Sequence, residues 1–134
     1  NGCKIVFNNL GMAYNSRGQY DKAIEYYQQA LTIDRKLGTE GKTAIVLNNI
    51  GSVYQSLGQY DKAIEHYKES IKIREKLRLT AKGDARRDYL ASVISTYEIL
   101  TEAYFNNQQY DQALASGELS RTKGLAEQMT GDVK

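Results

Sequence analysis

A shift of 40 residues lays this chain on itself. NNLGMAYNSRGQYDKAIEYYQQALTID, beginning at Asn8, meets NNIGSVYQSLGQYDKAIEHYKESIKIR, beginning at Asn48, and 15 of the 27 aligned positions are identical. Repetition at such a period means that one supersecondary unit is built several times and buries its apolar face against its neighbours. A weaker third copy follows after a further 50 residues, where Tyr104, Gln109, Tyr110, Asp111 and Ala113 echo Tyr54, Gln59, Tyr60, Asp61 and Ala63. The ten extra residues fall within KLRLTAKGDARRDYL, residues 76–90, and predict a longer connection before the third copy. Three copies are about the minimum at which stacked units become stable.

Each copy reads as two helices. Phe7, Leu10, Gly11 and Tyr14 recur at i, i+3, i+4 and i+7, the spacing of a packed helical stripe, and Leu47, Ile50, Gly51 and Tyr54 repeat it. A glycine inside such a stripe costs about 1 kcal/mol against alanine, so its recurrence at one spot predicts a neighbouring helix too close for a side chain. Gly18 and Gly58 mark the turn between helices. The second helix opens at GQYD, with Asp21, Asp61 and Asp111 in its first turn, where a carboxylate opposes the positive helix end. Its stripe is Tyr20, Ala23, Ile24, Tyr27, Ala30 and Leu31, repeated as Tyr60, Ala63, Ile64, Tyr67, Ser70 and Ile71.

Composition excludes several classes. The 134 residues contain no proline, which favours long uninterrupted helices, and their net charge of +2 argues against a strongly basic nucleic-acid binder. No apolar run approaches the length of a membrane span, and no signal-peptide pattern opens the chain. One cysteine, Cys3, cannot close an intramolecular disulfide, so a reducing cytoplasm is the expected setting. The abrupt start at Asn1-Gly2-Cys3 reads as excision from a longer protein.

The order Leu-Gly, Tyr, Gly, Tyr, Ala, Tyr, Ala-Leu within each helix pair resembles the tetratricopeptide repeat (TPR), with a period of 40 that is similar to the longer repeats of kinesin light chains and of bacterial and cyanobacterial TPR proteins. Two departures stand out. The family's proline after the second helix is replaced by Arg35 and Glu75, and the third copy has Thr101, Gln108 and Gly117 where small, turn and aromatic residues belong. The resemblance implies an all-α, right-handed TPR superhelix (an α-solenoid) of three helix pairs, six helices in all. One domain over residues 1–134 would hold repeats at about 4–38, 41–80 and 84–128.

In such a superhelix the first helices line a concave groove. The residues facing it would be Ile5, Asn8, Asn9, Met12, Asn15 and Ser16 from copy one, and Ile45, Asn48, Asn49, Ser52, Gln55 and Ser56 from copy two. An asparagine amide can bond both the N–H and the C=O of an extended peptide, at about 0.5–1.5 kcal/mol net per bond. In peptide-binding TPR proteins an asparagine just before the Leu-Gly pair has that role, and Asn9 and Asn49 match it by position. The alternative is that both bond a neighbouring helix or water. Copy three has Ile99 at that place, with Glu98 and Glu102 nearby, which suits a basic or polar partner segment at that end. The basic clamp of chaperone-binding TPRs is replaced by Asn8, Met12, Ser95 and Ile99, which disfavours chaperone tails.

Other signals point to structure. Eight basic residues between Lys68 and Asp88 are interleaved with Glu69, Glu75, Asp84 and Asp88, as on a solvated helix face. The eleven tyrosines occupy mostly packing positions. His66 replaces Tyr26 of copy one and lacks a partner nucleophile, and neither a phosphate loop nor metal-ligand spacing occurs. Catalytic residues, metal and cofactors are therefore not expected. The stretch ALASGELSRTKGLAEQM, residues 113–129, resembles the last helix before the caspase-like CHAT protease domain of bacterial TPR proteins through Ser120, Arg121, Lys123, Gly124 and Leu125. These readings predict a protein- or peptide-binding scaffold. The alternatives are a solenoid that self-associates through Cys3, Ile5 and Phe7 at one end, and the sensor arm of a CHAT-type protease.

Overall fold

The computed structural model describes residues 2–132, with side chains up to residue 126. Helices fill it: α1 (Gly2–Ser16), α2 (Tyr20–Leu37), α3 (Glu40–Ser56), α4 (Tyr60–Thr80), α5 (Gly83–Asn106) and α6 (Tyr110–Asp132). No strand occurs among the described residues. The chain is all-α, as the repeat predicts.

Two compact units divide it, Asn1–Ser70 and Ile71–Lys134, with the boundary inside α4. In the first, α2 packs against both α1 and α3. Its core is Ala23, Tyr27, Ala30, Leu31, Ala44, Val46, Leu47, Ile50, Val53, Ala63 and Tyr67, all buried. In the second, α5 packs along α6, with Val93, Leu100, Ala103, Tyr104 and Ala113 buried.

The recurring glycines have a direct steric cause. A Cβ on Gly11 would lie 2.7 Å from the Tyr27 ring, and one on Gly51 would lie 2.7 Å from the Tyr67 ring. Each glycine is the socket for the tyrosine sixteen residues later. In the third pair the sizes are exchanged: Thr101 supplies the side chain, and a Cβ on Gly117 would meet its Cγ2 at an ordinary 3.8 Å.

The turn within each pair is built alike three times. Gln19 N donates to Tyr14 O, Gln59 N to Tyr54 O and Gln109 N to Tyr104 O, each at 2.9 Å. The preceding residue is left-handed in all three, Gly18 and Gly58 at φ 75° and Gln108 at φ 60°. The third copy thus makes the same turn with a residue that carries a Cβ.

The sequence predicts a longer connection before the third copy, and the structure corrects this. Both connections are two residues long, Gly38–Thr39 and Ala81–Lys82. The added residues are helical instead: α4 has 21 residues against 18 in α2, and α5 has 24 against 17 in α3, which accounts for all ten. With no proline to stop α4 and only Gly83 as a breaker, adding hydrogen-bonded turns costs less than an open loop.

Candidate functional site

The candidate binding residues lie on α1 and α3 of the first unit. Ile5, Asn9 and Met12 follow i, i+4 and i+7 along α1, and all are exposed, Ile5 and Met12 at 57%. Forty residues on, α3 repeats this stripe as Ile45 (52% exposed), Asn49 (half-buried) and Ser52 (exposed). One position inward, Asn8 and Asn48 are half-buried with Oδ1 atoms shielded from solvent, and Asn8 Oδ1 accepts no hydrogen bond.

At the far end of the stripes, Asn15 and Gln55 are half-buried. Gln55 Oε1 accepts the Tyr67 hydroxyl proton at 2.8 Å, so this amide is already used in holding the tyrosine that fills the Gly51 socket. Ser16 and Ser56 donate to the carbonyls of Met12 and Ser52, four residues back, at 3.0 and 3.2 Å. Neither α1 from Ile5 to Ser16 nor α3 from Thr43 to Ser56 contains a charged side chain. The two stripes therefore offer amides, hydroxyls and apolar atoms, a chemistry suited to peptide backbone and uncharged side chains. In the second unit Ile99 is half-buried, with Glu98 and Glu102 exposed.

Several groups that carry charge in the sequence are consumed by packing. Lys4 and Asp34, neither of which stands out by spacing, form a buried ion pair at 3.2 Å, and the Thr39 hydroxyl donates to the same Asp34 Oδ1 at 2.8 Å. Repeat logic obscured the pair, because the residues forty further on are Ala44 and Arg74. Arg74 donates to Thr96 Oγ1 at 2.7 Å, and burial lowers its pKa. Glu75 accepts from Arg78 at 2.7 Å and forms an ion pair with Lys123 at 2.9 Å. Burial pushes the Glu75 carboxyl up, but the hydrogen bonds and charges of Lys123 and Arg78 outweigh it and hold its pKa below the usual value. Arg74 and Arg78 of the basic run are thus tied into unit two, while Lys68, Lys72, Lys76, Lys82, Arg86 and Arg87 are exposed.

Burial likewise raises the Tyr27 hydroxyl pKa. Tyr27, Tyr67 and Tyr104 are buried, Tyr110 is exposed, and the remainder are half-buried. His66 is half-buried: it packs on Tyr54 at 5.3 Å, as Tyr26 packs on Tyr14 at 5.4 Å, and its Nδ1 lies 2.7 Å from Lys62 O. A carbonyl can only accept, so Nδ1 carries the proton. Cys3 is exposed. Of the residues that suggested a CHAT-linked helix, Ser120 is buried, Lys123 binds Glu75, and Arg121 and Leu125 are exposed; Met129 lies outside the described side chains. No described helix is long and apolar enough to cross a membrane.

Helix pairs with glycine sockets, left-handed turns and uncharged outward stripes define a repeat scaffold for protein interactions. The tetratricopeptide repeat model matches residues 5–76, more than half of the chain, and the chain belongs to this family. Among solved structures it is similar to BtubC (BKLC) from P. vanneervenii, with TM-score 0.81 and 24% identity over 93% of this chain and 48% of that one. It is similar to the TPR domain of Arabidopsis FLU, with TM-score 0.76 and 14% identity over 93% and 97%. MamA gives TM-score 0.68 and 25% identity over 90% and 54%. The chain thus spans about half the length of BtubC and of MamA. No curated protein sequence is significantly similar to it. The architecture is the TPR fold, which serves protein interaction in general.

Proposed function

We propose that this chain is a non-catalytic, cytoplasmic protein-binding module that takes an extended peptide along the stripes of α1 and α3. The supporting observation is the recurrence, in one register, of an uncharged triplet, exposed but for the half-buried Asn49: Ile5, Asn9 and Met12, then Ile45, Asn49 and Ser52. Asn9 and Asn49 hold the peptide backbone, and Ile5, Ile45 and Met12 choose its side chains. Asn8, Asn48 and Asn15 border the stripes, and Gln55 contributes through Tyr67, whose hydroxyl it fixes. A sensor arm for a CHAT-type protease has less support, because the ion pair with Glu75 already accounts for Lys123.

The test is a random-peptide selection on the purified chain, with hits measured by calorimetry against an Asn9→Ala/Asn49→Ala variant. The hits should share an apolar motif, and the variant should lose about 1–3 kcal/mol of binding with helicity unchanged. Affinity should change little between about 50 and 500 mM salt, since no exposed charge of the stripes is left to screen. Equal binding by the variant, or no enriched peptide, would show that the asparagines serve the structure alone.

A further inference from the structure

The uncharged stripe that α1 and α3 share changes character on α5. At the places of Ile45, Asn48 and Ser52 stand Ser95, Glu98 and Glu102, all exposed. The residues that lengthen α5 at its start carry the same face further, to Asp84 and Asp88. Asp84, Asp88, Ala91, Ser95, Glu98 and Glu102 are spaced by threes and fours, so they form one row of the helix, about 27 Å long. Every member is exposed and none is basic. The row is not open for want of a following repeat. Ile45 and Ser52 of α3, a helix with repeat copies before and after it, are exposed at the places of Ser95 and Glu102.

Internal contacts do not use these carboxylates. None of the four makes an ion pair with a described residue, although Arg86 and Arg87 lie on the turns of Asp84 and Asp88, whereas Glu69, Glu75 and Glu118 each hold an arginine or a lysine. Asp84 with Asp88, and Glu98 with Glu102, are like charges four residues apart, which repel along a helix. Glu102 also stands near the negative end of α5. Phe105, three residues past Glu102, is 61% exposed and meets Tyr110 edge-on at 5.4 Å. An open ring beside carboxylates is a seat for a cationic side chain, which gains from both.

We propose that this face of α5 docks a lysine- or arginine-rich segment of a partner protein, in a contact separate from the peptide stripe of α1 and α3. The attraction is local: the whole chain carries a net charge of +2, so a cationic partner is drawn to this row and not to the molecule at large. The two carboxylate pairs are centred on residues 86 and 100, about 21 Å apart along the helix, with Ala91 and Ser95 between them. The segment therefore presents basic residues at both ends and small or polar ones in its middle. That distance is spanned by about six residues of extended chain, or by about four turns of a helix with its basic groups on one side. Docking relieves the repulsion within each pair, and Phe105 covers the stem of the last basic side chain.

The test is calorimetry of the full chain with a lysine–alanine peptide of about 20 residues, long enough to span the row, and with its glutamate–alanine twin. The lysine peptide should bind at about 50 mM salt and weaken at least about tenfold at about 500 mM, and the glutamate twin should not bind. Glu98→Gln/Glu102→Gln should weaken binding about tenfold or more while its thermal midpoint holds or rises, because a repelling pair has gone. Asp84→Asn/Asp88→Asn reads the other pair, should the first variant lose helix signal. Glu25→Gln/Glu65→Gln, which changes exposed carboxylates outside the row, should bind as the parent does. A lysine peptide that fails to bind, or that binds both row variants undiminished, would overturn the proposal. So would an equal loss in the Glu25/Glu65 variant, the mark of attraction to charge in general. Heat from calcium chloride alone that the row variants lose would assign the carboxylates to a metal ion and overturn it too. Asn9→Ala/Asn49→Ala should bind the lysine peptide as the parent does, so this reading and the peptide stripe can each fail without the other.

Discussion

At Gly11, Gly51 and Gly117 one packing problem is solved in two ways. In the first two pairs the earlier helix gives up its side chain and the later helix supplies a tyrosine; in the third the earlier helix keeps Thr101 and the later one carries the glycine. The sequence marks the third copy as irregular because it lacks both the small residue and the aromatic. Complementary size across the contact is what matters to packing, and it survives the exchange. The consequence is a pair of substitutions with opposite signs. Gly11→Ala should destabilise by about 1–2 kcal/mol, since a Cβ at 2.7 Å from the buried Tyr27 ring forces a shift larger than the gain in helix propensity. Gly117→Ala meets only ordinary contact and should stabilise by up to about 1 kcal/mol. Chemical denaturation of the two variants beside the parent checks both.

At the scale of elements, α1 is tied to α2 by a feature the repeat does not share. Lys4 and Asp34 are buried together, and the carboxylate sits in the last turn of α2, where the helix dipole is unfavourable to it. The ammonium and the Thr39 hydroxyl offset that cost. Removing only the lysine strands the charge, so Lys4→Met should cost about 3 kcal/mol or more, whereas Lys4→Met combined with Asp34→Leu should recover most of it. Thermal unfolding of both variants decides the matter, and a single variant as stable as the parent would count against the pair. The lengthening of α4 and α5 is also an element-scale event. A ten-residue insertion in a chain without proline becomes turns of helix, with Gly83 at φ 62° opening α5.

Over the whole molecule, pH acts through Glu75, which joins α4 to Lys123 of α6. Its pKa is depressed in the folded state, so its contribution is complete above the ordinary glutamate value of about 4.3 and is lost as pH falls through the depressed one. Glu75→Gln should therefore lose about 1–2 kcal/mol at pH 7, and the gap to the parent should narrow as pH falls toward about 3. A gap that stays constant with pH would show that the residue acts by shape alone.

The sequence by itself determined the helix pairs, the turns at Gly18 and Gly58 and the close approach at Gly11 and Gly51, because each rests on local periodicity or on a glycine recurring at fixed spacing. The asparagine stripes were legible as positions for the same reason. Tertiary structure decided which polar side chains remain available. Gln55 is committed to Tyr67, Lys4 to Asp34 and Lys123 to Glu75, pairings between residues twelve to forty-eight apart that no helical period encodes. It also decided that Val6 and Leu114 are open where their repeat equivalents are covered, since burial depends on which helix lies alongside, and that is a property of the packed molecule.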